Sequence, residues 1–162
     1  MKQYKAEYDG ITHINVYSKS KSPLGRLLSN FAYTPVTIDS LLFESIESWW
    51  YWTKMKRINE ASLFSLFSQE QLDEIRIKVG ADAKEYFRAY FKDDSSSYSP
   101  TKEELKKAYL AKLDHHPNIK DLLLKNHLPL AHYYMMWDKQ VNADSTLWTA
   151  QLWEEIKKEL TV

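Results

Sequence analysis

Apolar and polar positions alternate from Thr12 to Tyr17, and this period of two, rich in β-favouring residues, predicts a strand. Ser18 to Ser29 is polar, carries Pro23 and Gly25, and reads as a loop. Thr34 to Asp39 and Leu41 to Phe43 predict a short hairpin turning at Asp39-Ser40. Helical spacing begins near Ser45. Ser68-Gln69-Glu70-Gln71 has the Ser-x-x-Gln form of a capping box, and Leu72, Ile75 and Val79 follow on one helical face, with Gly80 as the stop. Tyr86 to Phe91 is an aromatic segment that the pattern does not assign, and Lys92 to Ser99, with three consecutive serines, reads as a mobile loop. Thr101-Lys102-Glu103-Glu104 is a second capping box, opening a helix with Leu105, Ala108, Tyr109 and Leu113 on one face and Pro117 as its end. Asn118 caps a short helix through Leu124. The last helix is expected from about Ser145 to Leu160, with Trp148, Leu152, Ile156 and Leu160 four apart. The pattern describes an α+β fold, mainly α, with a small N-terminal antiparallel strand layer packed against four or five helices.

The 162 residues suit one domain spanning 1–162, with no internal repeat or linker. Lysine plus arginine equals aspartate plus glutamate, 22 against 22, so no global field selects nucleic acid or an anionic membrane, although a local patch is enough for either. Cysteine is absent, which removes disulfides and thiol chemistry and fits a reducing cytoplasm. Three glycines cannot build a glycine-rich phosphate loop. The start, Met1-Lys2-Gln3-Tyr4-Lys5, lacks the apolar stretch of a signal peptide, and no apolar run approaches the roughly 20 residues that span a bilayer. The histidines give no metal site: His115 and His116 are adjacent, and His127 and His132 miss the i, i+4 spacing of a helical zinc pair. No serine sits in a nucleophile elbow.

The stretch from Ile14 to Lys54 is where candidate chemistry concentrates. With Ser45 as cap, Glu47 falls in the first turn of a helix, where the dipole and free N–H groups favour an ionised carboxylate. Such a carboxylate can stabilise positive charge developing on a substrate; it can equally be a favourable end charge and nothing more. Trp49, Trp50, Tyr51 and Trp52 cannot all face one core, because successive helical residues turn through about 100°. One or two of these rings therefore leave the main apolar stripe, either to stack on a flat ring or to pack in a satellite cluster. Asn30, in Leu28-Ser29-Asn30-Phe31, either fixes a turn or binds a ribose or phosphate oxygen. Arg26, Lys54, Lys56 and Arg57 are candidates for phosphates, or simply solvated charges.

These segments carry a resemblance. Ile14-Asn15-Val16-Tyr17-Ser18, Leu28-Ser29-Asn30-Phe31 and Phe43 through Lys54 resemble, in order and spacing, the N-terminal pattern of the NADAR family, which includes the YbiA-like N-glycosidases. The family glutamate falls on Glu47 and the closing lysine of its helix on Lys54. The resemblance implies hydrolysis of a ribosyl N-glycosidic bond, in phosphorylated riboflavin-pathway intermediates or in ADP-ribose attached to guanine in DNA; phage members protect DNA by the latter reaction. It implies Glu47 and Asp138 as catalytic residues, with Tyr17, Ser29, Asn30, Phe31, Trp50, Lys54 and Trp137 contacting substrate. It implies no metal or other cofactor, and as partner a nucleotide-like molecule or ADP-ribosylated DNA, with no membrane. The chain departs from the family at Ser48 (a histidine there), at Tyr51-Trp52-Thr53 (Gln-Ala-Gln), at Gly80-Ala81 (Gly-Arg) and at Trp137-Asp138-Lys139-Gln140 (Trp-Gly-Asp-Gly). A second expectation follows from those departures: a catalytically silent relative that binds a nucleotide or a host protein.

Overall fold

The computed structural model describes residues 3–92, 96–142 and 148–162. In chain order the elements are β1 (Ile14–Asn15), α1 (Pro23–Leu28), β2 (Val36–Ile38), β3 (Leu41–Phe43), α2 (Ile46–Ala61), α3 (Gln69–Ile77), α4 (Ala81–Tyr90), α5 (Lys102–His115), α6 (Pro117–Lys125), β4 (Leu130–Ala131), β5 (Tyr133–Met136), β6 (Lys139–Asn142) and α7 (Thr149–Leu160). The class is α+β and mainly helical, as the pattern predicts. Among the described residues there are seven α-helices rather than four or five, and in place of one N-terminal antiparallel layer three two-stranded pairs form, β1 with β4 in parallel, β2 with β3 and β5 with β6 antiparallel. The described residues contain no helix long and apolar enough to cross a membrane.

The chain divides into two compact units, one made of residues 1–29 and 116–162, the other of 30–115. In the first, β1 registers Ile14 against Leu130 and Asn15 against Ala131. The Asn15 side chain extends this short pairing: its Nδ2 donates to the Tyr133 carbonyl and its Oδ1 accepts the Tyr133 N–H, both at 3.0 Å. Asp9, buried, accepts the Asn15 N–H (2.9 Å), the Ser20 hydroxyl (2.8 Å) and the Lys21 N–H (2.9 Å). Buried carboxylates persist only when so satisfied. Leu24, Leu28, Ile119, Leu123, Leu152, Trp153 and Ile156 form the apolar interior, with the Trp153 indole donating to the Leu28 carbonyl at 3.2 Å.

The loop expected over Ser18–Ser29 instead contains α1. Pro23 takes the first helical position, where its missing N–H costs nothing, after Ser22 as N-cap. Gly25 is required there by space: a Cβ would lie 2.2 Å from the Asn15 carbonyl oxygen and 2.3 Å from the Ser20 hydroxyl. Pro117 ends α5 at His115 as expected and also opens α6 at its first turn, with His116 rather than Asn118 as cap. The start expected for the last helix near Ser145 lies outside the described residues, as does part of the loop expected over 92–99, of which Ser96–Tyr98 forms a 3-10 turn.

In the second unit the β2–β3 turn falls at Asp39-Ser40 as predicted, both residues taking positive φ (49° and 67°). This is the turn whose twist matches a hairpin. Ser45 caps α2, Ser68 caps α3 and Thr101 caps α5, each with the reciprocal side-chain bond of a capping box. Tyr51, Met55, Ile58, Phe67, Leu72, Ile75, Ala83 and Phe87 from α2, α3, α4 and the α2–α3 loop build one apolar core, and α5 packs on β2. Gly80 does not stop α3, which ends at Ile77; it is the N-cap of α4 with φ 53°. The unassigned Tyr86–Phe91 segment is helical through Tyr90 because Ala83 and Phe87, one turn apart, are the residues buried on that face.

Candidate functional site

The site grows from the place where α2 and α4 begin. The Ser45 hydroxyl accepts the Ser48 N–H that a cap must satisfy, and also the Gly80 N–H at 3.3 Å. Further along, the Tyr51 and Phe87 ring centroids lie 4.9 Å apart. The two helices therefore start together and run side by side. Asn30 and Phe31 lie against the same start: the Glu47 N–H donates to the Asn30 carbonyl at 3.0 Å, and a Cβ on Gly80 would approach the Phe31 carbonyl to 2.8 Å. Glycine is needed here for both its positive φ and this close approach.

Glu47 sits on α2 at this junction. Part of its side chain meets solvent, yet dense packing around the carboxyl pushes its pKa up to about 7, against the pull of Lys84, Lys54 and Arg88. Desolvation dominates because the first-turn N–H groups are already spent. That of Glu47 goes to Asn30, that of Ser48 to the cap, and that of Trp49 to the Ser45 carbonyl. The helix start favours the ionised carboxylate, as the sequence suggests, but burial outweighs it and moves the titration up toward neutrality.

Glu47, Tyr51 and Lys54 recur at helical spacing on α2, facing Lys84, Phe87 and Arg88 on α4. Lys54 is only 5% exposed, with its Nζ 5.1 Å from the Phe87 ring centroid and 5.8 Å from that of Tyr51. The aromatic run divides as helix geometry requires. Trp49 and Tyr51 are buried; Trp50 and Trp52 are only partly so, Trp52 meeting Phe43 edge-on at 5.4 Å.

Of the residues singled out in the sequence, Asn30, Phe31, Glu47, Trp50 and Lys54 belong to this unit. Tyr17, Ser29, Trp137 and Asp138 belong to the other. There Tyr17 meets Tyr134 edge-on at 5.7 Å, and Ser29 is the buried C-cap of α1. Trp137 and Asp138 form the two-residue turn between β5 and β6, with Trp137 97% exposed and Asp138 exposed. Lys84, Arg88 and Tyr109 were not anticipated. Lys84 and Arg88 could have been found from their i, i+4 spacing had α4 been recognised, whereas nothing local points to Tyr109. Among the described residues no cluster of histidine and carboxylate side chains is arranged to hold a metal ion.

The fold is a mainly helical α+β arrangement with short two-stranded pairs. It resembles a solved structure, that of the Escherichia coli protein YbiA, of the NADAR family, determined by NMR: TM-score 0.57 and 20% identity, covering 98% of this chain and 94% of that one. At that identity the likeness is one of fold, and at that level it agrees with the resemblance read from the N-terminal third. No family model matches the chain, and no curated protein matches it.

Proposed function

We propose that the chain is an N-glycosidase that hydrolyses a ribosyl N-glycosidic bond in a phosphorylated, nucleotide-like substrate, removal of ADP-ribose from a modified DNA guanine being the leading case. The observation that carries this reading is the Glu47 carboxyl, with a pKa of about 7, set among Lys84, Lys54 and Arg88 on a residue whose backbone N–H is bonded to the Asn30 carbonyl. Breaking a ribosyl C–N bond sends the bonding pair to the base nitrogen and leaves an oxocarbenium-like cation on the sugar. Ionised Glu47 stabilises that cation. Water then adds to the ribosyl carbon and gives its proton to Glu47, while the departing base takes one from solvent. A base whose pKa lies near the working pH suits this transfer. The three cations favour the ionised carboxylate against its burial, and they are the groups available to offset phosphate charge on the substrate. Asn30, Trp50 and Lys54 are the substrate contacts of this reading.

The test is incubation with DNA carrying ADP-ribosylated guanine, followed by chromatography for free ADP-ribose. Release by the wild type and not by Glu47→Gln is expected. Tight binding without release identifies instead the silent nucleotide-binding relative.

A further inference from the structure

The Tyr109 hydroxyl donates to the Asn30 Oδ1 at 2.7 Å, across 79 positions of sequence. Tyr109 is 0% exposed, held in α5 between Leu105 and Leu113 on the face that packs on β2. Asn30 is doubly held, since its carbonyl also accepts the Glu47 N–H. An amide has two unlike ends, one an acceptor and the other carrying two donors. With Oδ1 turned inward to the phenol, Nδ2 is the end left over. Among the described residues nothing in the protein partners that nitrogen, and Asn30 is only partly buried, so the N–H groups face solvent beside Glu47.

We infer that Tyr109 is a positioning residue: its buried hydroxyl sets the polarity of the Asn30 amide, so that the site presents N–H donors to an oxygen-bearing ligand, a ribose hydroxyl or ring oxygen. This rests on the ribosyl reading above. The phenol reaches the ligand only through Asn30, and its loss lets the amide turn over and offer an acceptor instead. An acceptor facing a sugar ring oxygen leaves both unpaired, which discriminates against binding more than the loss of one bond does.

The probes are ribose 5-phosphate and inorganic phosphate, which share the phosphate and differ in the sugar. For Tyr109→Phe, which keeps the buried ring, affinity for ribose 5-phosphate is expected to fall about tenfold while that for phosphate is unchanged. Equal losses for both probes, or none, overturn the inference, as does failure of the wild type to bind ribose 5-phosphate. An NMR measurement on the wild type stands even where the variant folds poorly. The Asn30 side-chain amide protons are expected to shift with ribose 5-phosphate and not with phosphate, and unmoved protons overturn the inference. Sugar binding through Asn30 without turnover of any N-riboside sinks the glycosidase reading and leaves this one standing. Turnover with the same kcat/KM in Tyr109→Phe does the reverse.

Discussion

The Ser45 hydroxyl accepts N–H bonds from both Ser48 (3.2 Å) and Gly80 (3.3 Å), so one small side chain ties the start of α2 to the start of α4. Ser45→Ala removes a helix cap and strands the buried Gly80 N–H. The expected loss is about 2 kcal/mol or more, the cap alone being worth about 1 kcal/mol. Urea denaturation followed by circular dichroism reads it; a loss within experimental error contradicts the double role.

Stability should pass through a minimum near neutral pH. Burial raises Glu47 from 4.5 to about 7, so the folded state holds its proton more tightly, and the stability this contributes is lost as pH rises from 4.5 to 7. Burial lowers Lys112 from 10.5 to about 7, so stability is regained as pH climbs from 7 to 10.5. Each group gives a slope of at most about 1.4 kcal/mol per pH unit. Glu47→Gln should flatten the acid limb and Lys112→Met the alkaline one, as measured by denaturation midpoints from pH 4 to 10. A monotonic wild-type curve argues against these two groups as its source.

Turnover should respond to Glu47 far more than stability does. Glu47→Gln keeps shape and is expected to slow ADP-ribose release by roughly a hundredfold or more, the scale for one preorganised electrostatic group. Equal single-turnover rates for variant and wild type favour the silent relative.

Gly25→Ala tests packing alone. The new methyl would meet the Asn15 carbonyl oxygen and the Ser20 hydroxyl well inside contact distance, and the backbone oxygen cannot swing away. A loss of about 2 kcal/mol or more is expected in thermal or urea unfolding. A variant as stable as the wild type shows that β1 and α1 can separate freely.

Asp138, exposed in the β5–β6 turn, should tolerate Asn with a change within about 0.5 kcal/mol. Kinetics then decide its role. A large fall in kcat at constant KM supports the catalysis implied by its place after Trp137; a wild-type rate removes it from the mechanism.

What the sequence made legible is what short-range chemistry controls. Ser68 and Thr101 announce two helix starts, because a cap and its reciprocal partner lie three residues apart, and Ser45 announces a third as a cap whose reciprocal partner, Ser48, only the structure shows. Asp39-Ser40 announced its turn. The β5–β6 hairpin went unannounced because its turn is Trp137-Asp138, and a tryptophan with φ 57° gives no turn signal. Pro23 marks a loop in the sequence pattern, yet the first helical position suits a proline equally. In the site, Glu47 could be placed from its cap. Its raised pKa could not, because that depends on which N–H groups are spent and on Lys84 and Arg88 arriving from a helix some forty residues on. The Tyr109–Asn30 bond is further still from anything local.

The pairing of Ile14 with Leu130 has a consequence for synthesis. Residues 30–115 form a contiguous unit, so everything it packs against within itself has left the ribosome once His115 has emerged. The other unit is split around it, and β1, made early, has no partner strand until Leu130 follows. Domains fold as units during translation, at about 5–20 residues per second. The Glu47-bearing half can thus be assembled while the first twenty-nine residues still wait, and a nascent chain stalled just after His115 has emerged should show α2 and α4 protected from protease while β1 is still cleaved.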